Sequence, residues 1–172
     1  EEVMKKIIIM ERKDIEYSKI RKNKLTDEEI TEVELLSEKI DKKYKNLIMY
    51  DNIRKLSEAM LEISRYKPDV ILDDYIQLIQ VDDIEERRFQ IESIMYEYKW
   101  ICKKENCSAI LVSQLNREIE KRIDPKPRLS DFAESGVIEQ TAETAIMPFY
   151  GWNFDNESHD RYEIEIIVPK SR

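Results

Sequence analysis

The stretch that decides the fold class is Val70-Ile71-Leu72-Asp73-Asp74. Its three apolar residues predict a short strand, and two carboxylates follow where that strand ends. In an open α/β sheet this position lies at the carboxyl edge, where ligands bind. A carboxylate there can hold a magnesium ion beside the phosphates of a nucleotide. A strand that simply ends in an acidic turn explains the stretch equally well when it is read alone.

A second apolar run, Ala109-Ile110-Leu111-Val112, is followed by Ser113 and Gln114. A continuous apolar run is typical of a strand that is covered on both faces. Gln114 would then lie at the same edge as the acidic pair, where a neutral amide can both donate to a γ-phosphate and orient a water molecule. A surface loop of hydrogen-bonding residues is the other interpretation of this second stretch.

Helices are predicted between and around these strands. An apolar stripe predicts a long helix from residue 83 to about residue 106. Strand–helix–strand alternation predicts an α/β fold, in which a mostly parallel sheet is flanked by helices. Because no repeat and no low-complexity linker interrupts the pattern, residues 1–172 are expected to form one domain. Further strands are predicted at 47–50, 145–147 and 162–168, and further helices at 1–12, 27–43 (opened by a Thr26–Glu29 capping box) and 56–63.

Composition bounds the class of protein. The formal net charge of −8 does not indicate a broad basic face for nucleic acid. Cys102 and Cys107 lack the spacing of zinc-binding pairs and are expected to be reduced thiols of an intracellular protein. No apolar run approaches the roughly 20 residues that span a bilayer. A cytoplasmic or nucleoid-associated location is therefore expected.

Glycine is scarce in this chain, which contains only Gly136 and Gly151. A phosphate-binding loop of the pattern G-x-x-x-x-G-K-[ST] needs glycines for close backbone approach to the phosphates. Neither glycine is followed by lysine, so the loop is not encoded in these residues. Alone, the chain cannot be a complete P-loop nucleotidase.

Five ordered motifs resemble the DnaB family of hexameric replicative helicases. The family carries D-Y-L-Q-L, S-Q-L-N-R and S-D-L-R-E-S-G-x-I-E-Q in its RecA-like motor domain. The matching segments here are 74–78, 113–117 and 130–140, and the resemblance extends to 25–29 and 167–172, thus covering nearly the whole chain. It implies a partial RecA-like ATPase domain over residues 1–172, without the Walker A strand, loop and helix.

The resemblance implies roles for four nucleotide-site residues. Asp74 matches the Walker B aspartate that supports magnesium, and Gln114 matches the residue that senses the γ-phosphate and links it to the DNA loops. Lys170 and Arg172 match a basic pair that reaches into a neighbouring subunit's nucleotide, where an arginine finger stabilises the transferred phosphoryl group. Read without the resemblance, Lys170 and Arg172 form a solvated basic tail.

The turn Glu134-Ser135-Gly136 matches the loop that follows single-stranded DNA through the central channel, and Arg117 is expected to contribute to the DNA-binding surface. Glycine and the backbone N–H groups that open the next helix suit a phosphate, so such a grip needs little net positive charge. The chain departs from the family at Ala133, where an arginine is usual. Ala133 therefore cannot supply the charged phosphate contact that the family's arginine implies.

The resemblance implies ATP and Mg²⁺ as cofactors. It also implies a homohexamer moving five-prime to three-prime on single-stranded DNA, with a primase and a helicase loader as partners. The chain by itself is expected to be inactive. Two alternatives stay open: a non-catalytic relative that assembles or regulates helicase rings, and another RecA-type ATPase of recombination or repair.

Overall fold

The computed structural model describes residues 2–12, 15–133 and 136–172. The chain divides into two compact units, residues 1–51 and 52–172. The expectation that the whole chain forms one domain stays a prediction.

The first unit consists of three helices, α1 (Glu2–Glu11), α2 (Tyr17–Arg21) and α3 (Asp27–Lys43). The predicted capping box is confirmed, because the Thr26 hydroxyl accepts from the Glu29 backbone N–H at 3.2 Å and the Glu29 carboxylate accepts from the Thr26 N–H at 2.8 Å. These two bonds satisfy donors that the first turn of α3 would otherwise leave unpaired.

The second unit alternates helices and strands. Its helices are α4 (Leu56–Tyr66), α5 (Arg87–Glu105) and the short α6 (Gly136–Thr141). Its strands are β1 (Val70–Asp73), β2 (Ser108–Leu111), β3 (Thr144–Phe149) and β4 (Glu165–Ser171). Short 3-10 turns lie at Ile76–Leu78, Arg117–Lys121, Leu129–Asp131 and Gly151–Asn153.

The strands form two pairs. β1 and β2 are parallel, with Val70 opposite Ser108 and Asp73 opposite Leu111. The connection between them contains α5, so this part is a strand–helix–strand crossover, as the sequence predicts. β3 and β4 are antiparallel, with Phe149 opposite Glu165. The α/β class is confirmed, and the described strands divide evenly between a parallel and an antiparallel pair.

The core of this unit lies along α5. Ile91, Ile94 and Ile101 are fully buried on it and recur at helical spacing. Ile71, Ala109 and Leu111 pack against the same cluster from one face of the β1–β2 pair. The prediction that these strands are covered on both faces is wrong for the described residues. On the face of β1 and β2 that points away from α5, Leu72 and Ile110 are 68% and 55% exposed.

Two further predictions, one of a strand and one of the start of a helix, differ from the structure. Residues 47–50 form no strand, and their four apolar side chains are about half exposed. No strand pairs with this segment among the described residues, and an apolar run needs such a partner to become a strand. The long helix begins at Arg87 instead of residue 83, because Asp83 has a positive φ of 62° and Glu86, which directly precedes the helix, is extended with a ψ of 121°.

The structure also bears on the two cysteines and on the absence of a long apolar run. Cys102 and Cys107 are free thiols, both partly buried. Within 2–12, 15–133 and 136–172, no helix is long and apolar enough to cross a bilayer.

Candidate functional site

The carboxyl ends of β1 and β2 form one edge, and Gln77 joins them. Its side-chain amide donates to the Ser113 hydroxyl at 2.9 Å, and its carbonyl oxygen accepts from the Gln114 backbone N–H at 3.2 Å. The Ile76 N–H donates to the Val112 carbonyl at 3.0 Å and reinforces the contact. Gln77 belongs to the 74–78 motif, but the sequence does not predict its bridging role, since that role depends on which strands are neighbours.

The two adjacent carboxylates at the end of β1 have different surroundings. Asp73 points into the second unit and accepts a hydrogen bond from the hydroxyl of Tyr98, a buried residue of α5. Asp74 is exposed and makes no hydrogen bond or ion pair with any described residue. Of these two carboxylates, Asp74 is therefore the more open to a ligand at this edge, and its role in binding magnesium stays a prediction.

Burial, and then the hydrogen bond to Asp73, raise the pKa of Tyr98 well above its ordinary value of 10.0. Because the folded pKa exceeds the unfolded one, the neutral phenol contributes stability that is fully present below pH 10 and is lost as the pH rises beyond it. The expected slope above pH 10 is about 1.4 kcal/mol per pH unit. Tyr98→Phe should remove this component while costing about 1 kcal/mol at neutral pH through the unpaired Asp73.

The measurement is urea unfolding of the chain and of Tyr98→Phe between pH 8 and pH 11. Tyr162→Phe is the matched control, because Tyr162 is 90% exposed and its substitution should leave the wild-type slope unchanged. A Tyr98→Phe curve parallel to the wild-type curve above pH 10 would contradict the assignment.

The edge suits a nucleotide-bound magnesium ion better than a protein-enclosed one. Nowhere in the described ranges do three His, Cys, Asp or Glu side chains gather as a metal cage. Magnesium usually keeps several waters and takes one or two carboxylates together with substrate phosphates. Asp74 can supply such a carboxylate, and the exposed side chain of Gln114 is free to meet a phosphate oxygen.

The segment that leaves Gln114 folds back on itself. The Gln114 carbonyl accepts from the Ala133 N–H at 3.3 Å, and the Asp131 carbonyl accepts from the Asn116 N–H at 2.7 Å. Leu115 and Phe132 form an antiparallel bridge between these bonds. The edge formed by β1 and β2 is thus hydrogen-bonded, through Gln114, directly to the residue that precedes the predicted DNA turn.

Of the predicted DNA-contacting residues, Glu134 and Ser135 lie outside the described residues. Gly136 begins α6 without a positive φ, and a Cβ atom placed on it would meet no described atom within 4 Å. Arg117 is exposed at the start of the 3-10 turn that follows Asn116. Gly136 and Arg117 are therefore both accessible, and no described atom fills the space beside Gly136.

The basic pair lies at the end of β4. The Lys170 ammonium donates to the carbonyls of Glu139 at 2.6 Å and Gln140 at 3.3 Å, near the C-terminal end of α6, where a positive charge is favourable. The Arg172 side chain is exposed, and its backbone N–H donates to the Glu143 carbonyl at 3.1 Å. Among the described residues, no hydrogen bond or ion pair joins this pair to Asp74 or Gln114.

A parallel strand crossover that ends in an exposed aspartate and a glutamine agrees with the RecA-like class of ATPase domains. Solved structures agree on this class. The chain is similar to one solved ATPase domain with a TM-score of 0.82 and 25% identity over 98% of this chain and 62% of that one. It is also similar to a DnaB-like replicative helicase studied for its interactions with primase, with a TM-score of 0.79 and 25% identity over 98% of this chain and 42% of that one.

The chain belongs to the family of the DnaB-like helicase C terminal domain, whose model matches residues 1–172. Among curated relatives, it is 35% identical to the replicative DNA helicase DnaC of Bacillus subtilis over 69% of the chain and 27% of that protein. It is 30% identical to a probable plasmid replicative DNA helicase of Chlamydia trachomatis over 92% of the chain and 34% of that protein. The chain thus spans about a third or less of these two relatives, and the resemblance seen in the sequence is confirmed.

Proposed function

We propose that the protein containing this chain is an ATP-dependent replicative DNA helicase that moves five-prime to three-prime along single-stranded DNA as a homohexamer. The observation that carries the proposal is the β1–β2 edge, where exposed Asp74 and Gln114 stand beside a segment hydrogen-bonded back to Ala133. A nucleotide at that edge would be connected through the chain to the DNA turn that follows Ala133. Membership of the DnaB-like family supports the same function.

ATP and Mg²⁺ are the proposed cofactors. Asp74 would hold the magnesium ion through its carboxylate, and the ion would neutralise charge that develops on the phosphates. Gln114 would donate its amide N–H to the γ-phosphate, while Gln77 fixes the Gln114 backbone. Lys170 and Arg172 would act on the nucleotide of an adjacent subunit. The phosphate-binding loop is not among these residues, so the chain by itself should not hydrolyse ATP.

Single-stranded DNA is the proposed substrate, held by Arg117 and by the turn Glu134-Ser135-Gly136. Backbone N–H groups can bind phosphates without net positive charge, which reconciles DNA binding with the charge of −8. Close approach of a DNA backbone to Gly136 is not blocked by any atom of the described residues. A ring of six subunits would multiply a small number of contacts per chain.

A primase and a helicase loader are the proposed protein partners, and the cytoplasm of a bacterial or phage-infected cell, at the nucleoid, is the proposed location. Support for the primase comes from the similar DnaB-like helicase that was studied for its interactions with primase.

The test is unwinding of forked DNA by the full-length protein with ATP and Mg²⁺. A labelled duplex carrying a five-prime single-stranded tail should be unwound, whereas the matched duplex with only a three-prime tail should stay paired. Native mass spectrometry of the same sample should give six subunits. Unwinding from the three-prime tail alone would refute the direction, and absence of any ATP-dependent unwinding would refute the function.

A further inference from the structure

A partly buried ion pair joins two residues of the segment between Gln114 and α6. The Arg122 guanidinium donates two hydrogen bonds to the Asp131 carboxylate, at 2.9 Å to Oδ1 and 2.7 Å to Oδ2. This bidentate arrangement is the most directional contact that an arginine can make with a carboxylate. We call Arg122 and Asp131 together the latch.

The latch joins three points of the segment at once. Arg122 also donates to the Lys126 carbonyl at 2.9 Å, and Asp131 Oδ2 also accepts from the Arg128 backbone N–H at 2.7 Å. The Asp131 carbonyl accepts from the Asn116 N–H at 2.7 Å. Asp131, which lies in the returning limb (128–133), is therefore bonded through its carbonyl to the outgoing limb (114–117) and through its side chain to Arg122.

Burial distinguishes the latch from the Lys121–Glu118 ion pair of the same segment. The latch side chains are 28% and 11% exposed, whereas those of Lys121 and Glu118 are 72% and 67% exposed. In addition, Arg122 Nε is buried without a hydrogen-bond partner among the described atoms. Buried pairs with such a desolvation cost contribute little net stability, and fixing one conformation is a role that they can serve.

We propose that Arg122 is a positioning residue that transmits displacement of Gln114 to residues 128–133, the part of the chain that leads to the proposed DNA-binding residue Gly136. The inference rests on the proposed function, because it assigns Gln114 to the nucleotide and the turn to DNA. With the latch closed, the limbs stay paired through the Ala133–Gln114 and Asn116–Asp131 bonds, and a shift at the nucleotide edge moves both limbs together. With the latch open, Gln114 moves without the returning limb.

The first test is amide hydrogen exchange in the full-length protein, because it reports the pairing of the limbs and requires no helicase activity. In Arg122→Gln, the amides of Asn116 and Ala133 should exchange about ten-fold faster than in the wild type. Lys121→Gln is the matched control, since Lys121 is adjacent to Arg122 in sequence, carries the same charge and belongs to the exposed pair with Glu118. The same amides should exchange at wild-type rates in Lys121→Gln. Unchanged exchange in Arg122→Gln would overturn the latch.

The second test separates coupling from catalysis. Stimulation of ATP hydrolysis by single-stranded DNA should fall about ten-fold in Arg122→Gln, while kcat and KM without DNA stay close to the wild-type values. Lys121→Gln should keep full stimulation. Arg122→Gln with faster exchange but full stimulation would overturn the coupling, whereas a wild-type protein that DNA does not stimulate would count against the proposed function itself.

Arg122→Lys is a second variant that tests the same role if Arg122→Gln does not fold. Lysine retains the charge but presents no planar fork, so it cannot make both hydrogen bonds in the same geometry. We expect a folded protein with an intermediate loss of stimulation. Wild-type stimulation and wild-type exchange in Arg122→Lys would show that charge alone suffices and would overturn the positioning role.

Discussion

Asp74→Asn should lower kcat for ATP hydrolysis by the full-length protein about 10³-fold, a loss comparable to removal of one charge-stabilising group in other enzymes. Asp73→Asn should lower it only slightly. The difference follows from orientation: Asp73 accepts the Tyr98 hydroxyl inside the second unit, whereas Asp74 is exposed at the edge. An asparagine at position 73 can still accept that hydrogen bond, but an asparagine at position 74 is a much poorer magnesium ligand.

The measurement is steady-state ATP hydrolysis with saturating single-stranded DNA over a magnesium titration. Asp74→Asn should also require more magnesium for half-maximal activity, a change that general damage to the fold would not produce. Circular dichroism establishes that both variants are folded. Equal losses in the two variants, or a larger loss in Asp73→Asn, would show that the metal-supporting carboxylate has been misassigned.

Arg172→Ala is expected to lower ATP hydrolysis by at least about 10³-fold, the contribution of an arginine finger to phosphoryl transfer. Activity should return in part when this variant is mixed with a second variant whose phosphate-binding loop is inactivated. In such a mixture, the intact Arg172 of one subunit can complete the intact nucleotide site of its neighbour. Neither variant should be active alone, so activity of the mixture reports action between subunits.

Arg172 is a better choice than Lys170 for this experiment. Lys170 donates to carbonyls of α6, so its removal would disturb the helix as well as any contact with nucleotide. Arg161→Ala serves as the control, because Arg161 is also exposed and lies in the connection that precedes β4. If mixing restores no activity while Arg161→Ala remains active, Arg172 does not act across a subunit boundary.

The parallel pairing of β1 and β2 could be predicted because it depends on local patterns. Two apolar runs, each ending in polar residues and separated by a helical stripe, leave few other arrangements. The supposed strand at 47–50 shows the limit of the same reasoning. Apolar residues indicate that a strand is possible, but the strand forms only where a partner is available, and partners are set by the tertiary fold.

The candidate site is partly predictable for a related reason. Asp74 and Gln114 can be proposed from the sequence because each lies two positions after an apolar run, within a recognisable motif. Gln77, Tyr98 and Arg122 receive no role from the sequence, since the tertiary fold decides which residue each of them contacts. Tyr98 meets Asp73 across 25 positions and Gln77 meets Ser113 across 36 positions. Such contacts leave no periodic signal in a single sequence.

Gly136 also bears on how the sequence of this protein can evolve. Its backbone has no positive φ, and a methyl group placed on its Cα would have no described atom within 4 Å. Replacing glycine by alanine at a compatible position typically gains about 0.4–1 kcal/mol by restricting the unfolded chain. Selection for stability alone would therefore favour drift to alanine at position 136. A lineage that keeps glycine there would forgo that gain, as we expect if the proposed DNA backbone passes close to this position.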